Sequence, residues 1–482
     1  MVKTTLSRNG YKIKKNELSI KELKEIKKDL TVNPYVVGDF GNGNEKRFSL
    51  YMESPNSLYI PRFYAYERFG SPTVNKLDEG ESIHINFKGS LRKEQEPIIK
   101  LYQEACNEKG GGLISLKCGG GKTVLALYII ALLQKKTIVV VHKDFLMTQW
   151  RDRIQQFLPE ARIGKIQQST IDIENKDIVL AMVQSLSQKE YDPEVFSSFG
   201  LAVFDECHHL GAEVFSKSMA KVASKYMLGL SATPDRKDGL RKVFEWFIGP
   251  MVYSSKKDKN NDYIETRIYE YYDEDPIYSK LSLGRNRKPC MPIMINNICN
   301  HIPRNIFINN IIKSEYETGR KILVLGDRRE YLNRTQQWIS ENIKEGIAGQ
   351  YVGGLKPSEL RDSQEKDIIL GTFSMASEGM DIPKLNTIIL ASPKSDVVQS
   401  VGRILREKAD VRKFHPLVID FKDTHPNLNV FNRQCEKRLT FYKKNNYEIH
   451  LYKWDGSKEK IEKRQKKKKE VHEIKECLIN DD

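Results

Sequence analysis

The residues of this chain whose types and spacing most directly imply chemistry are Gly119, Gly120, Gly121, Lys122 and Thr123. Leu113-Ile114-Ser115-Leu116 reads as an apolar strand running into the glycines, and Val124 to Leu133 reads as a helix leaving them. A glycine loop between a strand and a helix N-terminus is an anion site, because free N–H groups and the helix dipole face the same point. Lys122 then reaches the β- and γ-phosphates of a nucleotide, and the Thr123 hydroxyl is a ligand for Mg²⁺. Leu116 stands where the strict phosphate-loop pattern carries its first glycine, so a plain glycine turn is the alternative.

A second signal is Leu201-Ala202-Val203-Phe204-Asp205-Glu206-Cys207-His208-His209, an apolar strand ending in two acids. Ligands of parallel α/β sheets bind at this edge. Asp205 is expected to hold Mg²⁺, directly or through water, and Glu206 to orient and activate the attacking water. Strand-end acids are common, and it is their place after a Gly-Lys-Thr loop that gives these two their meaning.

Apolar β-runs alternating with helices must position both motifs. From about residue 89 these runs are Leu113–Leu116, Thr137–Val141, Ile178–Ala181, Leu201–Phe204 and Met227–Leu230. Continuous apolar runs between helices indicate a parallel sheet covered on both faces. A second series follows with Ile322–Leu325, Ile368–Leu370, Thr387–Leu390 and Pro416–Phe421. The expected organisation is an amino-terminal α+β domain over 1–88, a first α/β domain over 89–250, a connection over 251–300, a second α/β domain over 301–445 and a basic tail over 446–482.

In the amino-terminal domain, Ser19-Ile20-Lys21-Glu22 is a capping box opening a helix from Ile20 to Leu30. The aromatic stretch Leu58 to Gly70 interleaves Arg62 and Arg68 with tyrosine and phenylalanine. It reads as a half-buried strand in preference to a base-stacking surface.

Composition narrows the partners. The chain has 482 residues, 79 Lys+Arg against 64 Asp+Glu, and a formal charge of +15, which favours a polyanion such as nucleic acid. No apolar run reaches the length of a membrane span, so no membrane partner is expected. The seven cysteines include no C-x-x-C pair, and an intracellular, reducing compartment is expected. Cys290, Cys299 and His301 are the nearest approach to a metal cluster and make a poor one.

The ordered motifs make the chain similar to the superfamily 2 helicases over residues 91 to 407. Leu91-Arg92-Lys93-Glu94-Gln95 resembles their adenine-reading segment, with Arg92 and Gln95 its nucleotide contacts. Ser231-Ala232-Thr233 resembles the motif coupling hydrolysis to strand movement. Gly371-Thr372 through Ser377-Glu378-Gly379-Met380-Asp381 resembles the second-domain motif touching nucleotide and nucleic acid, with Gly379 and Asp381 on the nucleotide side. Gln399-Ser400-Val401-Gly402-Arg403-Ile404-Leu405-Arg406 resembles the arginine-finger motif, with Gln399 at the nucleotide and Ser400 where arginine is frequent. Arg403 and Arg406 are three residues apart and share a face on a helix.

The resemblance implies two tandem RecA-like parallel-sheet domains, ATP and Mg²⁺ as cofactors, and nucleic acid as partner. Asp-Glu-Cys-His at 205–208, Gly211 to Phe215 and Gly402 to Arg406 resemble the branch of transcription-repair translocases, phage branch-migration helicases and transcript-release helicases of large DNA viruses. That branch favours DNA over RNA and implies a transcription complex as a further partner. If the chain is viral, it implies work in the host cytoplasm or nucleus, or packaging in the virion. An RNA helicase and a non-catalytic nucleic-acid-binding scaffold are the competing readings.

Residues 458–470 carry eight Lys/Arg against three Glu. If they meet phosphates, deleting them makes the slope of log K against log salt on duplex DNA shallower by about two to four, at roughly 0.9 per phosphate. ATP turnover at saturating DNA stays the same. Binding measured at several salt concentrations checks this, and an unchanged slope marks the run as merely solvated.

Overall fold

The computed structural model describes residues 3–32, 47–116, 119–206, 212–231, 241–255, 263–284, 287–380, 382, 384–405, 407 and 411–453. The basic run 458–470 lies outside them. The chain divides into two compact units, Met1–Lys259 and Asn260–Asp482.

In the first unit an eight-stranded sheet is organised around the apolar runs. Its order is Thr170–Asp172, Ile163–Gln167, Ile178–Met182, Thr137–Val141, Leu201–Phe204, Tyr226–Ser231, Gly111–Ser115, Met251–Ser254. All pairs are parallel except the first, a hairpin. The strands Thr137–Val141 and Leu201–Phe204 are buried at every position. One face packs on Ile98, Leu125, Ile129, Trp150 and Ile154, the other on Phe215, Met219, Phe244 and Ile248.

Residues 1–88 build a second, five-stranded sheet in the same unit, ordered Met52–Glu53, Ser57–Ile60, Gly10–Lys14, Thr4–Ser7, Val74–Asn75. It was expected as a separate domain, but its core is continuous with one face of the larger sheet, Tyr11, Ile13 and Ile60 sharing a cluster with Phe215 and Phe244. The helix Ile20–Asp29 carries the capping box, the Glu22 N–H donating to Ser19 Oγ at 3.2 Å and the Ser19 N–H to Glu22 Oε2 at 2.8 Å.

The stretch 58–70 departs from the expected strand. It is a short strand, Ser57–Ile60, turning at Pro61 into the helix Arg62–Phe69. Proline suits a helix start, and Phe63, Tyr64 and Ala65 turn inward there. Neither arginine is an open phosphate hook. Arg62 Nη1 donates to the Lys225 carbonyl at 2.9 Å, and Arg68 Nη2 pairs with Glu25 at 3.1 Å.

The second unit holds a wholly parallel seven-stranded sheet, ordered Ala348–Tyr351, Ile368–Gly371, Ile322–Leu325, Thr387–Leu390, Leu417–Asp423, Glu265–Tyr271, Glu448–Lys453. Three strands lie in the segments assigned as connection and tail. The connection assigned to 251–300 gives Met251–Ser254 to the first sheet and Glu265–Tyr271 to the second, and the tail assigned from 446 begins with Glu448–Lys453. Polar alternation hid Glu265–Tyr271 and Glu448–Lys453, whereas stacking of Tyr269 on Tyr452 (4.9 Å) and Phe421 (5.9 Å) holds them. His301 is engaged within this unit, Nε2 lying 2.9 Å from Asp273 Oδ2 and 3.1 Å from the Tyr271 hydroxyl.

Two buried ion pairs clamp the strand Leu417–Asp423. Arg438 donates to both oxygens of Asp420 at 2.8 Å, and Arg304 Nε to Asp423 at 2.8 Å. Removing one partner leaves a buried, unpaired charge, at a cost of about 3–5 kcal/mol. Arg438→Met is therefore expected to destabilise the second unit by that amount in urea unfolding. The double variant Arg438→Met/Asp420→Leu recovers most of it, and an unaffected single variant would show the pair to be inert.

Candidate active site

The glycine loop leads into the helix Lys122–Leu133, whose N-cap is Gly121 in the left-handed region (φ 76°, ψ 31°). No side chain of Gly121 caps it, and a helix N-terminus that follows a glycine loop suits an anion. A Cβ on Gly121 would stand 2.7 Å from Gln95 Nε2, so the close approach and the backbone angle both call for glycine.

Arg92 and Gln95 brace this loop from outside. Gln95 is buried; its Nε2 donates to the Gly120 carbonyl at 3.1 Å and its Oε1 accepts the Arg92 N–H at 3.1 Å. Arg92 Nη1 donates to the Gly119 carbonyl at 3.1 Å. The two residues expected at the nucleotide thus hold the backbone that would wrap its phosphates. Thr123 follows Lys122 in the first helical turn.

The acids arrive at the same sheet edge. The Asp205 N–H donates to the Val140 carbonyl at 3.1 Å, the last ladder bond before the chain turns. The carboxylate is held by two neutral donors, the Glu206 N–H on Oδ1 at 2.9 Å and the Trp150 indole N–H on Oδ2 at 2.8 Å. Glu206 itself has φ +46°, an uncommon conformation for a residue with a side chain. Its Oε1 accepts from Lys122 Nζ, in an ion pair with both side chains largely buried.

Burial pushes the Asp205 carboxyl above its ordinary pKa and the Glu206 charge adds to this, while Lys122 and the Trp150 hydrogen bond oppose it. This fits a divalent cation that arrives with phosphates, since Mg²⁺ takes one or two carboxylates plus substrate oxygens in place of an all-protein cage. Trp150 is the contributor that the sequence did not disclose. A tryptophan in an amphipathic helix reads as core, and nothing in its spacing signals that its N–H has a partner.

In the second unit, Gly379 ends the helix Phe373–Gly379 and Gln399 lies in the short helix Val398–Val401. Arg403 sits in the 3₁₀ turn Gly402–Leu405, is 7% exposed, and its Nη1 donates to the Met380 carbonyl at 2.9 Å. It therefore ties the finger motif to the Gly379–Asp381 motif within its own unit. A 3₁₀ turn stands where the shared helix face of Arg403 and Arg406 was expected. Asp381 and Arg406 lie outside the described residues, as do Cys207, Ala232 and Thr233.

Comparison with known proteins gives these geometries a family. Residues 88–236 match the family described as type III restriction enzyme, res subunit, and residues 304–408 match the helicase conserved C-terminal domain. A protein of Acanthamoeba polyphaga mimivirus, whose name provisionally makes it an ATP-dependent RNA helicase, is 36% identical over 457 residues, 94% of this chain and 87% of its own length. The protein named DNA 3'-5' translocase XPB2 of Sulfurisphaera tokodaii is 27% identical over 398 residues, 72% of this chain and 85% of that one. The crystal structure of T4 UvsW aligns with 90% of this chain and 96% of its own at 17% identity, with a TM-score of 0.36. With the phosphate loop, the paired acids and the finger segment in one chain that matches along nearly its whole length, the protein belongs to the superfamily 2 helicases and is an ATP-dependent helicase.

Proposed function

We propose that the chain hydrolyses ATP, with Mg²⁺ at Asp205 and Thr123, to move along DNA in the transcription or repair of a large DNA virus. The observation that carries the chemistry is the Lys122–Glu206 ion pair beside Asp205, at the uncapped N-terminus of the helix Lys122–Leu133. Incoming phosphates compete with Glu206 for the Lys122 ammonium. Once Lys122 turns to the β- and γ-phosphates, the Glu206 carboxylate is released to orient the attacking water and accept its proton. Arg92 and Gln95 keep the loop carbonyls in place while its N–H groups meet the phosphates. The divalent cation, when bound, offsets phosphate charge. Arg406 meets charge developing in the transition state, and Arg403 holds the Met380 segment that carries Asp381.

DNA is supported by the motif resemblances at 205–215 and 402–406 and by the relative named as a DNA translocase. RNA is the second reading, favoured by the names of the mimivirus relative and of an African swine fever virus relative that is 28% identical over 378 residues, 74% of this chain and 73% of its own.

Lys122→Ala and Glu206→Gln should both abolish nucleic-acid-stimulated hydrolysis, by different routes. ATP affinity falls in the first and persists in the second, because only Lys122 meets the ground-state phosphates. Hydrolysis by Glu206→Gln at the parent rate removes Glu206 from its role. Phosphate release measured with duplex DNA, single-stranded DNA and RNA separates the substrates. Stimulation by duplex DNA above RNA is expected, and the reverse order establishes the RNA reading.

A further inference from the structure

We infer that Trp150 is a positioning residue for the metal-binding acid, through the hydrogen bond from its indole to Asp205. This rests on the reading of Asp205 as a magnesium ligand and goes beyond it. The helix Asp144–Phe157 follows the strand Thr137–Val141, which lies beside Leu201–Phe204 with Val140 opposite Phe204. The sheet therefore carries Trp150 over the end of the neighbouring strand. Its ring is 1% exposed and packs in one cluster with Leu146, Met147 and Ile154, so the N–H has little freedom to turn away.

An indole suits this position for an electrostatic reason. It is donor only and uncharged, so it fixes the carboxylate plane without neutralising it or taking its proton. A lysine or arginine there would satisfy the acid and compete with a cation. Each carboxylate oxygen keeps a lone pair beyond its one N–H partner, and the two donors together leave a single orientation in which those lone pairs are presented. Without the indole, Oδ2 is buried with no donor from that side, and Asp205 gains rotational freedom about the remaining bond to the Glu206 N–H.

The test is the affinity of the full-length protein for a fluorescent, non-hydrolysable ATP analogue, measured across Mg²⁺ concentrations and in EDTA. The decisive variant carries benzothienylalanine at position 150, which keeps the bicyclic shape and lacks the N–H; Trp150→Phe is its companion. In the benzothienylalanine variant the Mg²⁺ concentration for half-maximal tightening should rise about 10–100-fold. Its affinity in EDTA should stay as in the parent, and its thermal midpoint should fall modestly, because Oδ2 loses a buried donor, with the cooperative unfolding transition retained. An unchanged Mg²⁺ midpoint in a folded variant overturns the inference and leaves Trp150 as packing alone. A parent whose affinity ignores Mg²⁺ overturns the metal reading of Asp205 instead, and the positioning role with it, so the two failures are told apart by the parent curve.

Discussion

A carboxylate at the end of a strand buried on both faces is stable only if donors surround it, and Asp205 imposes that condition on the first unit. One donor is the next peptide N–H, that of Glu206, whose own backbone is left-handed. Such a conformation costs on the order of 1–3 kcal/mol and persists where the surroundings enforce it. The same turn aims the Glu206 side chain at Lys122. The strain at Glu206, the orientation of Asp205 and the resting position of the phosphate-loop lysine are thus one arrangement.

The amino-terminal sheet is joined to this arrangement through the far end of the same strands. Arg62 crosses to the Ser224 and Lys225 carbonyls, just ahead of the strand Tyr226–Ser231. Gly110 ends the helix Glu96–Lys109 with φ +90°, and a Cβ there would fall 2.1 Å from Arg62 Nη2. The glycine does two things, closing the helix in a conformation costly for other residues and leaving room for the guanidinium. Across the junction Tyr64 meets Trp246 edge-on at 5.3 Å. The amino-terminal region is built as a wall of the ATPase domain's core, which makes its motion independent of that domain costly in apolar burial.

Much of this was legible in the residues. Apolar runs such as Thr137–Val141 and Ile322–Leu325 mark central parallel strands because burial on both faces leaves them no polar side. The Gly-Lys-Thr and Asp-Glu pairs mark the candidate site because acids, common at strand ends, here follow a Gly-Lys-Thr loop in the same sheet. What escaped reading lies where tertiary packing overrides pattern. Glu265–Tyr271 alternates polar and apolar residues within a tyrosine-rich stretch, and only its neighbours Leu417–Asp423 and Glu448–Lys453 make it a strand. Arg62 read as one position of a half-buried strand, because no spacing rule reports a carbonyl acceptor far away in the chain. Arg403 read as a helix-face residue, yet a 3₁₀ turn and the Met380 carbonyl decide where its guanidinium goes.

The buried acids Asp420 and Asp423 are held differently from Asp205 and Glu206, and the difference separates architecture from chemistry. Asp420 and Asp423 are each gripped by an arginine, in pairs at most 2% exposed. A guanidinium fork matches a carboxylate with two donors, stays charged at any accessible pH, and has no reason to leave. The Tyr442 and Tyr278 hydroxyls fill remaining acceptor positions at 3.0 and 2.8 Å. Asp205 and Glu206 are instead met by an indole, a peptide N–H and a lysine. The first two orient without neutralising, and the third is a mobile point charge on a flexible stem that phosphate can claim. An acid held by arginine is closed to new partners. One held by neutral donors and a lysine keeps its charge available, and that is the property a nucleotide-hydrolysing site requires.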